Sequence, residues 1–496
     1  MPWLPALALA SLAVPLVLLR LRVGLRRVGR RTRTLAFLHP YCNDGGGGER
    51  VLWAAIRSLV SHPLFENRGW RIVVYTGDEA SDAQIRHLAA ARFGIEVPSC
   101  VHFVRLSLRA MTEAKYYPVA TLVGQAVGSV LLAAEAVCRA PPDVLVDTTG
   151  LGGRLTPRQP HIHQMATDVS SCFSFPLLRL VGVHRLAAYV HYPIISSDML
   201  DAVRSRRVAH NNKGSIARSA VGTALKVAYY HLLAALYSLA GRCVTLTIAN
   251  GSWTAGHLSK LWGREPAIIF PPCNTQALQA LPLHPPGGRR AQVLSLAQFR
   301  PEKNHALQLR AFAQVKRILR SPRQFGPHTQ PLVLQLLARY DATAEPRPPR
   351  PRLVVAGAVR HEDDEALLAA LRQTSHSLAL QPDDVTFVTN LPIDAGALCS
   401  TIPRPSGSLR PRAGCSHRYF AVGGPAMDII GRNKETGLLA SSEEEYCDAM
   451  AELLLLPDSE QRRAVIAAAA RNSVRSRFSE TAFAHAFVAQ MSSLIN

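Results

Sequence analysis

The sequence lacks the residue patterns of several common binding sites. Its nine cysteines stand singly, in an odd total and without a Cys-x-x-Cys pair, which argues against a disulfide framework and a zinc site and favours a reducing compartment. The longest glycine run is not followed by Gly-Lys-Ser/Thr. It also lacks the dinucleotide-binding pattern, which is Gly-x-Gly-x-x-Gly with an acidic residue at the end of a second strand. Walker-type and dinucleotide-type nucleotide sites are therefore excluded for this run.

Acidic residues are also scarce, since 35 Asp and Glu stand against 56 Lys and Arg and give a net charge of +21. Such a charge raises nucleic acid as a partner. The basic residues are concentrated, however, in the segments 20–33, 345–352 and 403–412, and aromatic residues are not interleaved with them. Solvated loops explain these clusters better than a nucleic-acid surface, so no nucleic-acid partner is expected.

The N-terminus contains an uncharged apolar run, Trp3 to Leu19, which is followed by seven arginines between Arg20 and Arg33. As a helix the run would span about 25 Å, near the thickness of a thin bilayer. Because the charge follows the run, we predict an uncleaved transmembrane anchor at 1–20 and a basic juxtamembrane linker at 21–33. The positive-inside rule then places the remaining chain on the cytosolic side. A second apolar stretch, 220–240, is predicted to lie against the membrane as an amphipathic helix.

Beyond the anchor, short apolar strands alternate with helical segments, which predicts an α/β fold with parallel sheets. Two such sets occur, separated by a Pro/Gly-rich stretch. We therefore predict two doubly wound, Rossmann-like domains facing a cleft, at 34–275 and 291–496, joined by a linker at 276–290. The predicted strands are Leu35–Leu38, Arg71–Tyr75, His102–Arg105, Val144–Val146, Ala187–Val190, Val244–Ile248, Val293–Leu296, Leu353–Ala356 and Val385–Val388.

Four consecutive glycines, at positions 45–48, lie between the first predicted strand and a helical pattern that begins at Val51. Backbone without Cβ atoms can approach an anion closely, and the first turn of a helix presents free N–H groups and a positive dipole end. The context favours a phosphate site at Gly47 and Gly48, with Glu49 as a helix cap rather than a chemical participant. A flexible connector is the alternative.

Together, the loops resemble a known family. The segments that carry the likeness are His39-Pro-Tyr-Cys-Asn-Asp-Gly-Gly-Gly-Gly-Glu-Arg-Val-Leu-Trp53, Tyr189-Val-His-Tyr-Pro193, Pro271-Pro-Cys273 and Gln298-Phe-Arg-Pro-Glu-Lys-Asn-His305. They are similar to the GDP-mannose-dependent α-1,2-mannosyltransferase of asparagine-linked glycosylation, a retaining GT-B enzyme of glycosyltransferase family 4. The likeness runs from about Leu35 to Leu494.

The resemblance implies a fold, a reaction and a location. The implied fold is GT-B, with an acceptor-side N-terminal domain and a C-terminal nucleotide-sugar domain. The implied reaction transfers mannose from GDP-mannose to the trimannosyl-chitobiosyl diphosphodolichol on the cytosolic face of the endoplasmic reticulum membrane. Other mannosyltransferases of the pathway are candidate partners, and neither a cofactor nor a metal is expected.

The resemblance also implies site residues. His191 is the expected catalytic residue at the reacting centre, with Tyr192 and Glu49 as acceptor or cleft residues. Arg300 and Lys303 would stabilise the charge that develops on the leaving diphosphate. Each assignment has an alternative, since His191 could be a satisfied structural histidine and Arg300 to Lys303 an exposed turn with an ion pair. The full set of expected donor-binding residues is Gly47, Gly48, Arg300, Lys303, Gly423 and Gly424.

One segment departs from the family's pattern. A helix carrying two glutamates eight residues apart should follow the stretch that ends at Asp394, but no glutamate occurs between Thr386 and Glu435. The atypical segment 399–420 is rich in Pro, Arg, Ser and Gly, which predicts neither strand nor helix. Similar segments occur at 154–171 and 321–352. The departure supports an alternative function, a catalytically impaired GT-B scaffold at the endoplasmic reticulum membrane.

Overall fold

The fold was analysed in a computed structural model. It describes residues 16–28, 32–66, 69–117, 120–149, 171–195, 204, 220–275, 292–320, 351–359, 362–390, 418–420, 425–430, 435–456 and 458–496. Two compact units are present. The first comprises Met1–Asn274 with Arg477–Asn496, and the second comprises Thr275–Ser476.

The first unit is built on a seven-stranded parallel sheet, which confirms the predicted α/β class. The strand order is β3-β2-β1-β4-β5-β6-β7. All five residues of β1 and all four of β4 are buried, as expected for central strands covered on both faces. The strands are β1 (Thr34–Leu38), β2 (Arg71–Thr76), β3 (Val101–Arg105), β4 (Val144–Asp147), β5 (Arg185–Val190), β6 (Leu246–Ala249) and β7 (Ala267–Ile268).

Helices cover both faces of this sheet. They are α1 (Gly47–Val60), α2 (Pro63–Glu66), α3 (Asp82–Phe93), α4 (Thr121–Arg139), α5 (Phe175–Leu180), α6 (Ala220–Arg242), α7 (Ser252–Trp262) and α12 (Glu480–Ile495). One apolar core contains residues of α1, α3 and α12, and the other contains residues of α4, α5, α6 and α7. The doubly wound arrangement follows from these two cores.

Helix α12 lies in the first unit, although the sequence analysis assigned residues 291–496 to the second domain. Phe483 and Phe487 are 1% and 0% exposed within the core that also holds α1. The Glu480 carboxylate forms ion pairs with two arginines of α1, Arg50 and Arg57, each at an N···O distance of 2.6 Å. Apolar burial and these ion pairs therefore hold the last helix against the first unit.

The segment expected to be a juxtamembrane linker is partly helical, because a single helix covers residues 16–27. Val23 is fully buried in the second core. Arg26 donates to the Cys138 and Arg139 carbonyls, and Arg27 donates to those of Pro142 and Gly182. These two arginines bind backbone carbonyls of the fold, although Arg26 also remains exposed to solvent.

The predicted membrane-facing stretch forms α6, which has two kinds of surface. Tyr237 and Leu233 are 0% and 1% exposed, whereas Leu225 and Leu232 are 67% and 58% exposed. The outer face of α6 is thus apolar. Among the described residues one helix, α4, is long and apolar enough by length and composition to cross a membrane, and 39% of its most apolar 18-residue stretch is buried in the fold.

The second unit contains a three-stranded parallel sheet of order β10-β9-β8 and a two-stranded sheet of β11 and β12. Helix α8 covers the core with Phe312 and Val315, both fully buried. The elements are β8 (Gln292–Leu296), α8 (His305–Arg320), β9 (Arg352–Gly357), α9 (Glu362–Ser377), β10 (Val385–Thr389), β11 (Arg418–Phe420), β12 (Leu438–Ala440), α10 (Glu443–Leu454) and α11 (Ser459–Ser473).

Several predictions concern residues outside the described ranges. These are the first fifteen residues of the anchor, the linker 276–290, and the donor-binding Gly423 and Gly424. The atypical segments 154–171, 321–352 and 399–420 also lie outside, apart from Ser171, Pro351 with Arg352, and the strand β11. The prediction of neither strand nor helix for 399–420 is wrong at its end, because Arg418–Phe420 pairs in parallel with β12.

Candidate functional site

The candidate site of the first unit lies at the carboxyl edge of four neighbouring strands, β2, β1, β4 and β5. Parallel strands bring the loops that follow them to one edge, where ligands of such folds bind. The loop after β1, residues 39–46, leads directly into α1. We call it the glycine loop.

Asp78, in the loop after β2, holds the first half of the glycine loop. Its Oδ2 accepts hydrogen bonds from the backbone N–H groups of Cys42 at 2.6 Å and Asn43 at 3.1 Å. Its Oδ1 pairs with Arg109 at 2.7 Å, and the Arg109 guanidinium lies 4.9 Å from the Tyr41 ring centroid. Asp78 is only 8% exposed, so these bonds form where they compete little with water.

Glu49 holds the second half of the glycine loop. Its carboxylate accepts from the N–H groups of Asp44 at 2.9 Å and of Gly46. Gly46 is the N-cap residue of α1, so this contact is the helix cap that the sequence analysis expected. Burial raises the pKa of Glu49 to about 7 against the opposing effect of the hydrogen bond from Gly46. The carboxylate therefore titrates near neutral pH.

Two glycines of the run differ in what the fold requires of them. Gly45 has φ +75, and a Cβ there would come within 2.5 Å of the Arg92 side chain, whose Nε donates to the Gly45 carbonyl at 2.7 Å. Gly47 is exposed, and a Cβ there would meet nothing within 4 Å. Within the described part of the chain the Gly47 and Gly48 N–H groups make no hydrogen bond. They are available to an anion.

His39 is the buried histidine at the start of the glycine loop. Its Nδ1 lies 2.9 Å from the Thr148 carbonyl oxygen and 3.1 Å from the Thr148 hydroxyl, in the loop after β4. A carbonyl oxygen only accepts, so Nδ1 carries the proton. Burial lowers the pKa of His39 to about 4, and the ring is neutral at physiological pH.

His191 immediately follows β5. Its ring centroid is 4.9 Å from that of Tyr189, whose hydroxyl donates to the Ile269 carbonyl. Burial is the larger cause and repulsion from His39 the smaller cause of a low pKa at His191, which is about 3. Its Nε2 is buried and has no hydrogen-bond partner in the described structure, so the site holds a neutral imidazole with unused hydrogen-bonding capacity.

In the second unit, the loop after β8 presents Arg300 and Lys303. Phe299 is fully buried and His305 is 2% exposed, so these two side chains anchor the ends of the loop. Asn304 has φ +45 and ends the short 3₁₀ turn Pro301–Lys303. Arg300 is half-buried, Lys303 is exposed, and neither forms an ion pair with any side chain that the structure describes.

The structure thus brings Gly47, Gly48 and Glu49 to the same sheet edge as His191 and Tyr192. A small pocket at this edge is lined by His39, Pro40, Tyr41, Gly46, Gly48, Glu49 and Thr149. The described ranges contain no group of three metal-ligating side chains, and the expectation of transfer without a metal stays a prediction. Sequence reasoning missed His39, Asp78, Arg109 and Thr148 as site residues. His39 and Thr148 directly follow strand ends, and Asp78 lies two residues after one, which was the available signal.

Solved structures share this fold. A glycosyltransferase from Rickettsia africae ESF-5 aligns over 94% of this chain and 100% of its own, with a TM-score of 0.51 and 12% identity. An alpha,alpha-trehalose 6-phosphate synthase from Burkholderia multivorans aligns over 94% of this chain and 99% of its own, with a TM-score of 0.52 and 12% identity. At this identity the likeness concerns the fold alone, and it confirms the expected GT-B class.

Curated sequences are more closely related. The family described as ALG11 mannosyltransferase N-terminus matches residues 32–167 and 159–262. Proteins named GDP-Man:Man(3)GlcNAc(2)-PP-Dol alpha-1,2-mannosyltransferase are 36% identical in Mus musculus and 34% identical in Homo sapiens, each over 95% of this chain and 89% of the relative. The relative from Dictyostelium discoideum is 32% identical over 93% of this chain and 85% of its own length. The chain therefore belongs to the GDP-Man:Man(3)GlcNAc(2)-PP-Dol alpha-1,2-mannosyltransferase family.

Proposed function

We propose that the chain transfers mannose from GDP-mannose, in α-1,2 linkage, to Man(3)GlcNAc(2)-PP-dolichol. The observation that carries this proposal is the 36% identity to a relative of that name over 95% of the chain. The glycine loop and His191 add support, because they lie together at the ligand-binding edge of a GT-B unit.

The proposed chemistry follows from the charge that moves. Cleavage of the mannose–phosphate bond leaves negative charge on the GDP diphosphate, and cationic groups or N–H dipoles aimed at it lower the barrier. Arg300 and Lys303 would supply the cations, and the Gly47 and Gly48 N–H groups would supply dipoles. Gly423 and Gly424 would contact the donor.

His191 would act as a neutral hydrogen-bonding group at the donor sugar or the reacting centre. A charged imidazolium would place a positive charge in a buried site, and burial opposes that charge. The unpartnered Nε2 can instead hydrogen-bond a sugar hydroxyl, which would orient the mannose without adding charge.

We further propose that the enzyme works at the endoplasmic reticulum membrane with both units on the cytosolic side. The acceptor is attached to a membrane lipid, and the exposed leucines of α6 form an apolar surface on the first unit. Other mannosyltransferases of the pathway would be partners there. Protease protection of sealed microsomes tests the orientation, since cytosolic units are digested without detergent.

The function is tested with the full chain purified in detergent. Radiolabelled GDP-mannose is supplied with Man(3)GlcNAc(2) on a diphosphate-linked polyprenol, and the product is digested with an α-1,2-specific mannosidase. We expect a labelled product that loses its label on digestion, and a loss of at least a hundredfold in the His191→Ala variant. A folded wild-type chain that neither binds GDP-mannose nor transfers mannose would support the scaffold alternative instead.

A further inference from the structure

Two aromatic side chains lie next to the site. One is Tyr192, which the sequence analysis expected only as an acceptor or cleft residue, and the other is Trp253, which has no role so far. Tyr192 follows His191 directly, and Trp253 lies in the first turn of α7, after β6. Their ring centroids are 4.9 Å apart and the ring planes are inclined by 29°, so the two rings are stacked. Strands β5 and β6 are paired in parallel, and the Asn250 N–H donates to the Val190 carbonyl at 3.2 Å.

The stack becomes more buried from one end to the other. Tyr192 is 44% exposed, Trp253 is half-buried, and His257 is 9% exposed. The His257 ring packs edge-on against Trp253 at 4.3 Å and 64°. Because Trp253 is held between a helix and its neighbouring rings, it supports the tyrosine in a fixed position. The first unit thus presents a braced aromatic side chain beside His191.

An aromatic ring of this kind suits one face of a sugar. The ring face is electron-rich, whereas a pyranose has a face of C–H bonds that packs against such a surface while its hydroxyls remain available for hydrogen bonds. The surroundings favour the acceptor glycan over the guanine base of the donor. The ring belongs to the first unit, which also carries the exposed apolar face of α6 where a lipid-linked acceptor would be held.

We propose that Tyr192, supported by Trp253, stacks against a sugar ring of the acceptor glycan and forms a carbohydrate subsite beside His191. Trp253 is a positioning residue, because it acts through Tyr192. The inference rests on the proposed function for the identity of the glycan, and the stacked pair itself does not depend on that function.

The test compares Tyr192→Ala with Tyr192→Phe in the full-length enzyme. We expect Tyr192→Ala to raise the KM for the lipid-linked acceptor about tenfold and to leave the KM for GDP-mannose unchanged. Phenylalanine retains the ring face and should restore the acceptor KM to within about twofold of wild type. Trp253→Leu should also raise the KM for the acceptor.

The matched control is Tyr116→Ala. Tyr116 is 56% exposed and follows β3, and three strands separate β3 from β5 in the sheet. It should change neither KM. Thermal midpoints of all four variants identify any loss of folding, and the Phe variant reports on the ring even if the Ala variant is unstable.

A binding measurement separates failure of this inference from failure of the proposed function. The probe is the free Man(3)GlcNAc(2) glycan, without lipid or diphosphate, followed by saturation-transfer NMR. We expect wild-type protein and Tyr192→Phe to bind it and Tyr192→Ala to lose binding, whether or not mannose is transferred. An unchanged acceptor KM in Tyr192→Ala, a raised GDP-mannose KM in its place, or no glycan binding by the wild type would each overturn the subsite.

Discussion

Replacing Gly47 by alanine should separate what the fold requires from what the donor requires. A Cβ at Gly47 would meet nothing within 4 Å, and Gly47 is the first residue of α1. Alanine restricts the unfolded chain more than glycine does, which stabilises a protein by about 0.4–1 kcal/mol where the native backbone is compatible. For a unit of this size we expect the thermal midpoint to rise by about 1–4 °C.

A phosphate bound by the Gly47 and Gly48 N–H groups comes close to the backbone, and the added methyl group would obstruct that approach. If a donor phosphate binds there, the variant loses at least one charge-assisted hydrogen bond, worth about 1.5–3 kcal/mol. That loss corresponds to about a ten- to hundredfold fall in kcat/KM for GDP-mannose. Initial rates at varied GDP-mannose and fixed acceptor measure it.

Gly45→Ala is the control. Its φ of +75 and the nearby Arg92 side chain make a Cβ costly at this position, so both the thermal midpoint and the activity should fall. Full kcat/KM in Gly47→Ala would refute the phosphate site. A fall in activity accompanied by a lower midpoint would show that Gly47 serves the fold instead.

Three further predictions concern the loop and the membrane surface. Because the pKa of Glu49 is raised in the fold to about 7, its contribution to stability is present at pH 4 and is lost as the pH rises through 7. Between pH 4 and pH 8 the free energy of unfolding of the wild type, measured with urea, should therefore fall by about 3 kcal/mol more than that of Glu49→Gln. The same pH dependence in both proteins would contradict this. Asp78→Asn should increase deuterium uptake in the glycine loop and lower kcat at least tenfold. Asp82 forms an equally short ion pair elsewhere in the unit, and the control Asp82→Asn should change neither quantity. Equal effects of the two substitutions would show that Asp78 has no special role. Replacing Leu225 and Leu232 together by glutamine should reduce binding to phospholipid vesicles in a flotation assay several-fold without changing the thermal midpoint, and unchanged binding would show that the apolar face of α6 does not contact lipid.

The strands and the first loop were predictable because their signals are local. All nine predicted strands overlap observed ones, since buried parallel strands are continuous apolar runs. The strands β7, β11 and β12 were missed because they have only two or three residues each. The helical pattern beginning at Val51 correctly located α1, although the helix itself begins at Gly47.

Contacts between distant parts of the chain could not be predicted in the same way. Nothing near Glu480 in the sequence indicates that it binds Arg50, because the two residues are 430 positions apart. Asp78 and Arg109 likewise belong to different loops, and only the strand order brings them to the glycine loop. The neutrality of His191 depends on burial by the folded unit, which a sequence motif does not specify.

The position of α12 has a consequence for how the chain folds during synthesis. The last helix fills the same core as α1 with Phe483, Phe487 and Met491, all at most 1% exposed. The ribosome makes the whole second unit, Thr275–Ser476, before these residues exist. Until then, the apolar surface of α1 that α12 will cover remains open, because the two parts of one core are separated in the chain by an entire unit. Such a nascent chain exposes apolar surface, and is open to aggregation, for longer than a chain whose first domain is complete when it emerges.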